Sequence, residues 1–247
     1  MHYQIQNNQR LPLDQLPTGL LYGYGIYTSF RTPIDDASLA MHQERLKHDA
    51  AVFGMTVDVD LKAVIQPDCN YRVTVVPDVD HFSAIVANKK LSPLVILSEF
   101  PATVQTAKPL KLVTMIRDRP LAAYKHTSLA QAFMDKRNAK AVGYDDVLYF
   151  NPEGFLTESS TANVCIIEGD RLFTPKLDCL PGITRQQLNA TATDIDRERL
   201  RKADGVFLTN AIQGIQPVIQ IDEMPYVALS SWKTLQLDET TPGSSFS

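Results

Sequence analysis

Three short stretches of this chain carry groups with recognisable chemistry. Lys125 offers a primary amine, and Glu158 offers a carboxylate just ahead of a predicted strand. Residues 182–184 open a predicted helix, where backbone N–H groups lack partners and can hold an anion. An amine can bind an aldehyde, a carboxylate can pair with a ring nitrogen, and N–H groups can bind phosphate. These are the groups that a site for a phosphorylated ring ligand with an aldehyde would need.

Composition excludes several classes of protein. The chain has 247 residues, of which 44% are hydrophobic and 21% charged, which is ordinary for a globular protein. The net charge of −4 argues against broad nucleic-acid binding, although a local basic pocket for an anion stays possible. No apolar run approaches the ~18 residues that a membrane helix requires, so we expect no membrane span.

Cysteine and histidine usage bears on location and metals. Cys69, Cys165 and Cys179 are odd in number and form no C-x-x-C pair. With no secretory signal recognised, they predict reduced thiols in the cytoplasm. The five histidines lack metal-ligand spacing, so we expect no metal site.

The first half of the chain predicts an α+β region. Gly23 and Gly25 bracket Tyr24 at the start of a strand within 20–32, where the glycines would let the backbone pass close to a neighbour. Apolar residues at steps of three and four predict a helix over 38–53, capped by Asp35 or Asp36. The further strands of a largely antiparallel sheet are expected at 71–76, 81–87, 94–97 and 110–115.

The second half predicts a helix and two hairpins, followed by another helix and strand pair. Residues 117–123 read as an exposed linker, which divides the chain into an N-terminal α+β domain at 1–116 and a C-terminal ligand-binding domain at 124–247. Helices are expected at 128–142 and 184–192, and a buried strand begins at Gly205. The polar run at 240–245 is expected to fray.

Each chemical signal also has an ordinary structural explanation when taken alone. Lys125 could be a surface lysine, Gly182 simple helix punctuation, and Arg45 a solvent-facing charge. Thr209 and Asn210 could close a turn rather than donate to an anion.

The order of these signals resembles the class IV, or fold type IV, family of pyridoxal phosphate (PLP)-dependent aminotransferases and lyases. The resemblance runs from the Gly23–Gly25 bracket, through an H-x-x-R-L helix with His42 and Arg45, to Pro217. Lys125 stands at the position of the family's cofactor-binding lysine. The resemblance implies a two-domain fold, with an N-terminal α+β sandwich domain and a C-terminal barrel-like β domain with helices.

The same resemblance implies a role for individual residues. Lys125 would bind the PLP aldehyde and act as general base and acid, and Glu158 would keep the pyridine nitrogen protonated. The phosphate would be held by the remaining cofactor-binding residues, which are Arg45, Gly182, Ile183, Thr184, Thr209 and Asn210. Tyr24 and Arg117 are expected on the substrate side of the pocket. Either Arg117 or Arg119 could meet a substrate carboxylate, although both could simply be linker charges. The family resemblance also implies a homodimer.

Two reactions within the family stay open. The lysine segment is most similar to the 4-amino-4-deoxychorismate lyase branch, which implies release of pyruvate and formation of 4-aminobenzoate for folate synthesis. There Thr28 would assist catalysis. Branched-chain transaminases usually carry Tyr five residues after the lysine, where this chain has Ala130. The alternatives are an amino-acid transaminase of D-amino acid or branched-chain type, and a PLP-binding protein without turnover.

Overall fold

A computed structural model of the chain describes residues 2–12, 18–79, 81–87, 89–102 and 108–226. The run predicted to fray, 240–245, lies outside these residues. Packing divides the chain into two compact units. The first is Met1–Val104 with Tyr124–Leu129, and the second is Gln105–Ala123 with Ala130–Ser247.

This grouping differs from the predicted domains in three segments. Residues 105–116 and the predicted linker 117–123 fall in the second unit, and Tyr124–Leu129, which carries Lys125, falls in the first. Tyr124–Leu129 belongs to the first unit because of a pair of backbone hydrogen bonds. Tyr27 N–H donates to the Lys125 carbonyl at 2.8 Å, and Thr127 N–H donates to the Gly25 carbonyl at 2.8 Å.

The first unit is an antiparallel sheet accompanied by helices. Its elements are β1 (His2–Gln6), β2 (Gln9–Pro12), α1 (Thr18–Leu21), β3 (Ile26–Arg31), α2 (Asp36–Val52), α3 (Leu61–Val64), β4 (Cys69–Pro77), α4 (Phe82–Ala87) and β5 (Pro93–Pro101). The strands pair in the order β2–β1–β5–β4–β3, and every pairing is antiparallel.

Helix α2 begins as predicted, because the Asp35 side chain accepts a hydrogen bond from Ser38 N–H at 2.7 Å. Leu46 lies on its buried face and packs in one core cluster with Ile26 and Phe30 of β3 and with Val73 of β4. The helix is therefore held against the sheet by apolar burial, and it carries polar residues to β3.

The prediction of a strand at 81–87 is wrong, since Phe82–Ala87 form helix α4. None of the residues of α4 is buried, and Val86 is 82% exposed. A strand here would have no core face to fill. His81 Nδ1 instead accepts from Ser83 N–H at 3.3 Å, which satisfies one donor at the helix start.

The second unit is built on a closed sheet. Its elements are β6 (Leu110–Ile116), α5 (Ala130–Ala141), β7 (Asp146–Phe150), β8 (Leu156–Ser159), β9 (Asn163–Glu168), β10 (Arg171–Pro175), α6 (Ile183–Gln186), β11 (Thr191–Thr193), α7 (Arg197–Lys202), β12 (Gly205–Asn210), β13 (Gly214–Ile221) and β14 (Met224–Pro225). The sheet order is β11–β10–β9–β12–β13–β6–β7–β8, and β8 also pairs with β9.

The pairing of β8 with β9 closes six strands, β9–β12–β13–β6–β7–β8, into a barrel. Strand β6 is parallel to both of its neighbours, β7 and β13. Leu112, Leu148, Val164, Leu208 and Val218 come from five of these strands and pack in one core cluster. The predicted barrel-like β domain is confirmed. Helix α6 is a single turn, shorter than the helix predicted at 184–192.

None of the helices in the part of the chain that the structure describes is long and apolar enough to cross a bilayer.

Candidate active site

The backbone of Lys125 is anchored from two sides. It pairs with β3 through the Tyr27 N–H bond, and its own N–H donates to Asp49 Oδ2 of α2 at 3.0 Å. Gly25, whose carbonyl accepts from Thr127 N–H, permits a close approach to β4, because a Cβ there would lie 2.8 Å from the Val75 carbonyl oxygen. The predicted role of the glycine bracket is confirmed at Gly25. Asp49, which sequence reasoning did not single out, is buried and helps to position the lysine segment.

The Lys125 side chain is half-buried, and its amine lies over an aromatic ring. Nζ is 4.8 Å from the centroid of the Tyr27 ring, within the range of a cation–π contact. The guanidinium of Arg72 lies 4.7 Å from the same centroid. Tyr27 therefore holds two cations, one of them the predicted reactive amine.

Thr28, His42 and Arg45 form a short buried chain of hydrogen bonds. Thr28 Oγ1 lies 2.7 Å from His42 Nδ1, and Arg45 Nη2 donates to the same hydroxyl oxygen at 2.7 Å. Thr28 is fully buried at 0% exposure. This placement links Thr28 to Arg45 rather than to an open face of the sheet.

Burial shifts the pKa values of His42 and Arg45 in this hydrogen-bonded group. It lowers the pKa of His42 well below 6.5, and the neighbouring charges of Arg45 and Lys125 lower it further. Burial also lowers the pKa of Arg45 to about 10, while the carboxylate of Asp49 opposes the shift. At neutral pH, His42 is uncharged and Arg45 is a cation. Arg45 Nε is buried and has no hydrogen-bond partner among the described residues, so it is a donor available to an anion.

Tyr24, predicted on the substrate side, packs inside the first unit. Its hydroxyl donates to the Phe53 carbonyl at 3.2 Å, and its ring lies 5.3 Å from the Phe53 ring. The residue is half-buried. Its hydroxyl is thus engaged with the end of α2.

Glu158 lies on β8 in the second unit, and both of its carboxylate oxygens are engaged. Oε1 forms an ion pair with Arg119 at 2.8 Å, and Oε2 accepts from Leu180 N–H at 3.1 Å. The residue is only 6% exposed. These two contacts fix the orientation of the carboxylate.

The pairing of Arg119 with Glu158 was not predicted from the sequence. Arg119 also donates to the Ser159 carbonyl at 2.9 Å, and its guanidinium lies 5.0 Å from the centroid of the Tyr149 ring. Its sequence context, between Asp118 and Pro120, is typical of an exposed linker and contained no signal for this pairing.

Arg117, predicted on the substrate side, is also in an ion pair within the second unit. Its Nη2 lies 2.8 Å from Asp135 Oδ1, and Asp135 is 2% exposed. Asp135 accepts further hydrogen bonds from Gln131 and Tyr149. Arg117 thus belongs to a buried polar network around α5.

The predicted anion-binding turn is closely packed. A Cβ on Gly182 would overlap Asn163 Oδ1, so only glycine fits there. Asn163 Nδ2 in turn donates to the Leu180 carbonyl at 2.7 Å. Ile183 and Thr184 follow as the first residues of α6, where helical N–H groups have no partner within the helix.

Thr209 and Asn210 end β12 and differ in their surroundings. Thr209 Oγ1 is buried and has no hydrogen-bond partner in the described part of the chain. The Asn210 side chain instead accepts from the N–H groups of Ile212 at 3.0 Å and Gln213 at 2.8 Å. Thr209 offers a free hydroxyl to a ligand, whereas Asn210 closes the turn to β13.

The predicted residues therefore fall into two groups. Thr28, Arg45 and Lys125 come together in the first unit, and Tyr24 lies in the same unit. The second unit contains the rest, which are Arg117, Glu158, Gly182, Ile183, Thr184, Thr209 and Asn210.

We expect Arg119→Met to lower the free energy of unfolding by about 3 kcal/mol, because it leaves the buried Glu158 carboxylate without its cation. Arg199→Met is a matched control. Arg199 pairs with Glu168 at 2.7 Å and lies 4.5 Å from the Phe173 ring centroid, but its pair is more exposed. The control should therefore lose less than about 1 kcal/mol. Denaturant unfolding measures both variants, and equal losses would contradict the difference in burial.

Comparisons with known proteins were consistent with one family. The family model described as amino-transferase class IV matches residues 37–221. The chain is 33% identical over 119 residues to a probable branched-chain-amino-acid aminotransferase from Rickettsia typhi. That alignment covers 44% of this chain and 40% of the relative, so the chain spans well under two thirds of that relative's length.

Solved structures share the fold at low sequence identity. A putative 4-amino-4-deoxychorismate lyase from Legionella pneumophila superposes with a TM-score of 0.76 at 24% identity, covering 91% of this chain and 93% of that one. A hypothetical aminotransferase from Mycobacterium tuberculosis, in its PLP-bound form, gives a TM-score of 0.77 at 16% identity, covering 98% and 99%. These similarities confirm the predicted fold type IV architecture.

Proposed function

Because the chain belongs to the class IV aminotransferase family, whose members depend on PLP, we propose that it is a PLP-dependent lyase. The substrate is 4-amino-4-deoxychorismate, and the products are 4-aminobenzoate and pyruvate. The observation that supports this choice is Ala130. It is the first residue of α5 and stands five positions after Lys125, where branched-chain transaminases usually carry Tyr.

The residues fit the cofactor that the family requires. Arg45 Nε and Thr209 Oγ1 are buried polar atoms without partners among the described residues, as expected of groups that bind a phosphate. The family resemblance gives a phosphate-binding role to Arg45 in the first unit and, in the second unit, to Thr209 and the N–H groups of Ile183 and Thr184, and we propose the same roles here. Glu158 would pair with the ring nitrogen, and Lys125 would bind the aldehyde.

Bound PLP supplies an electron sink for the pair left behind when a bond breaks at the amine-bearing carbon. The protein supplies orientation and proton transfer. The Arg119 ion pair and the Leu180 N–H hold the Glu158 carboxylate in one orientation. The Tyr27 ring and the backbone contacts of Lys125 hold its amine in place, so that the amine can move a proton to and from the substrate.

In the lyase reaction, Lys125 removes the proton from the amine-bearing ring carbon. The C–O bond to the enolpyruvyl group breaks, and the ring becomes aromatic as 4-aminobenzoate. The enolpyruvyl group takes up a proton and leaves as pyruvate. Thr28, whose hydroxyl faces Arg45 and His42, supports this reaction through the phosphate site rather than by direct contact with the substrate.

The second candidate is an amino-acid transaminase of branched-chain or D-amino acid type. It is favoured by the Rickettsia typhi relative, a probable branched-chain aminotransferase at 33% identity. A transaminase converts its cofactor to the amine form when it meets an amino acid alone, and a lyase does so poorly.

One pair of assays separates the two reactions. Enzymatically prepared 4-amino-4-deoxychorismate should yield equal amounts of 4-aminobenzoate and pyruvate. L-leucine, L-valine or D-alanine alone should leave the visible absorption of the bound cofactor nearly unchanged. Rapid bleaching by one of these amino acids, without 4-aminobenzoate formation, would establish the transaminase instead. Bound cofactor without turnover in either assay would indicate a non-catalytic PLP protein.

We also propose a cytoplasmic homodimer, the state expected from the family. Analytical ultracentrifugation of the PLP-loaded protein should give twice the chain mass of 27.5 kDa. A monomer at micromolar concentration would contradict the proposal.

A further inference from the structure

We propose that His42 is a positioning residue of the phosphate site, which acts through the Thr28 hydroxyl to hold Arg45 in the orientation that leaves Nε free for an anion. This inference rests on the proposed role of Arg45 as a phosphate ligand.

The direction of the hydrogen bonds follows from what each group can do. A guanidinium only donates, so the Thr28 oxygen must accept from Arg45 Nη2. Among the described residues, His42 Nδ1, 2.7 Å away, is the acceptor within reach of the single Thr28 proton, so we assign that proton to the Thr28–His42 bond. His42 Nδ1 therefore carries no proton, and the imidazole is the neutral tautomer with its proton on Nε2.

The surroundings of His42 favour this neutral form. The residue is 1% exposed and packs against the Phe30 ring at 5.1 Å between centroids. Two cations, Arg45 and Lys125, act on it and lower its pKa further than burial alone. A protonated Nδ1 would face Arg45 Nη2, 3.5 Å away, as a second donor, and would also displace the Thr28 proton.

The hydrogen bonds from His42 through Thr28 to Arg45 affect anion binding because an arginine side chain is long and has several rotatable bonds. Fixing Nη2 against Thr28 orders the guanidinium before an anion arrives, which lowers the entropic cost of binding. The Thr28–His42 bond does not itself contact an anion. We therefore expect these hydrogen bonds to affect binding of the cofactor's phosphate and not binding of its aldehyde or ring.

The test compares PLP with pyridoxal, which lacks the phosphate, by titrating the visible absorption of the Lys125-bound ligand. His42→Leu and Thr28→Val should each weaken PLP binding roughly tenfold, the effect of losing one hydrogen bond in a charged network. Pyridoxal binding should stay within twofold of the unmodified protein, which also shows that the variants fold. His42→Asn should restore PLP affinity, since Asn Oδ1 can replace Nδ1 as the acceptor.

Two controls complete the design. Thr32→Val removes another buried threonine hydroxyl of the first unit, which bonds the Gln66 carbonyl at 2.7 Å, and should leave both affinities unchanged. The double variant Thr28→Val/His42→Leu should bind PLP no more weakly than either single variant, because both substitutions break the same series of hydrogen bonds to Arg45.

The outcomes separate this inference from the function it rests on. If Arg45→Leu loses its preference for PLP over pyridoxal while His42→Leu and Thr28→Val keep it, Arg45 binds phosphate and the positioning role is overturned. If His42→Asn is as weak as His42→Leu, the acceptor explanation is overturned. If Arg45→Leu keeps the preference for PLP, the proposed phosphate role of Arg45 fails.

Discussion

Replacing Lys125 with alanine is expected to reduce turnover by at least roughly 10³-fold, because the variant loses the amine that would bind the aldehyde and transfer the proton. The backbone contacts of residue 125 with Tyr27 and Asp49 do not involve the side chain, so the fold should persist. Loss of activity at an unchanged melting temperature would therefore report on chemistry.

The measurement is borohydride reduction followed by peptide mapping. In the unmodified protein the cofactor label should map to Lys125, and in Lys125→Ala no label should be fixed. Lys47→Ala is the control, since Lys47 lies on α2 in an exposed ion pair with Glu44. A reducible adduct on another lysine of Lys125→Ala would contradict the assignment.

Glu158→Gln is expected to lower turnover by roughly 10²- to 10³-fold, the effect of removing one group that stabilises charge in the reaction. A neutral amide cannot keep the ring nitrogen protonated, so the cofactor becomes a weaker electron sink. The cofactor itself should stay bound, because the variant leaves Lys125 and the proposed phosphate-binding residues unchanged. Steady-state rates and the PLP dissociation constant measure the two effects separately.

The ion pair with Arg119 complicates that variant, since glutamine leaves a buried guanidinium without its anion. The double variant Arg119→Met/Glu158→Gln removes both charges and should recover part of the lost stability without recovering turnover. Glu168→Gln is the matched control, because Glu168 forms a similar pair with Arg199. Turnover of Glu158→Gln equal to that of the unmodified protein would remove Glu158 from the mechanism.

The amino-acid sequence was sufficient to predict the family and the cofactor. The relevant residues lie in short motifs whose order and spacing can be recognised in the sequence, namely Lys125, Glu158 and the run at 182–184. The cap of α2 at Asp35 and the close approach at Gly25 were predictable for the same reason, since each depends on one residue type and its local geometry. Sequence patterns were weaker where side chains stay exposed, as at α4.

Only the tertiary structure decided which partners these residues have. The pairing of Arg119 with Glu158 joins positions 39 residues apart in sequence, and Asp49 bonds Lys125 across 76 residues. The same holds for the chain from His42 through Thr28 to Arg45, and for the grouping of Tyr124–Leu129 with the first unit. Local sequence patterns predict which residues form helices and strands and which of their faces are buried. The charge state of a buried group depends instead on neighbours that the fold brings together from distant parts of the chain.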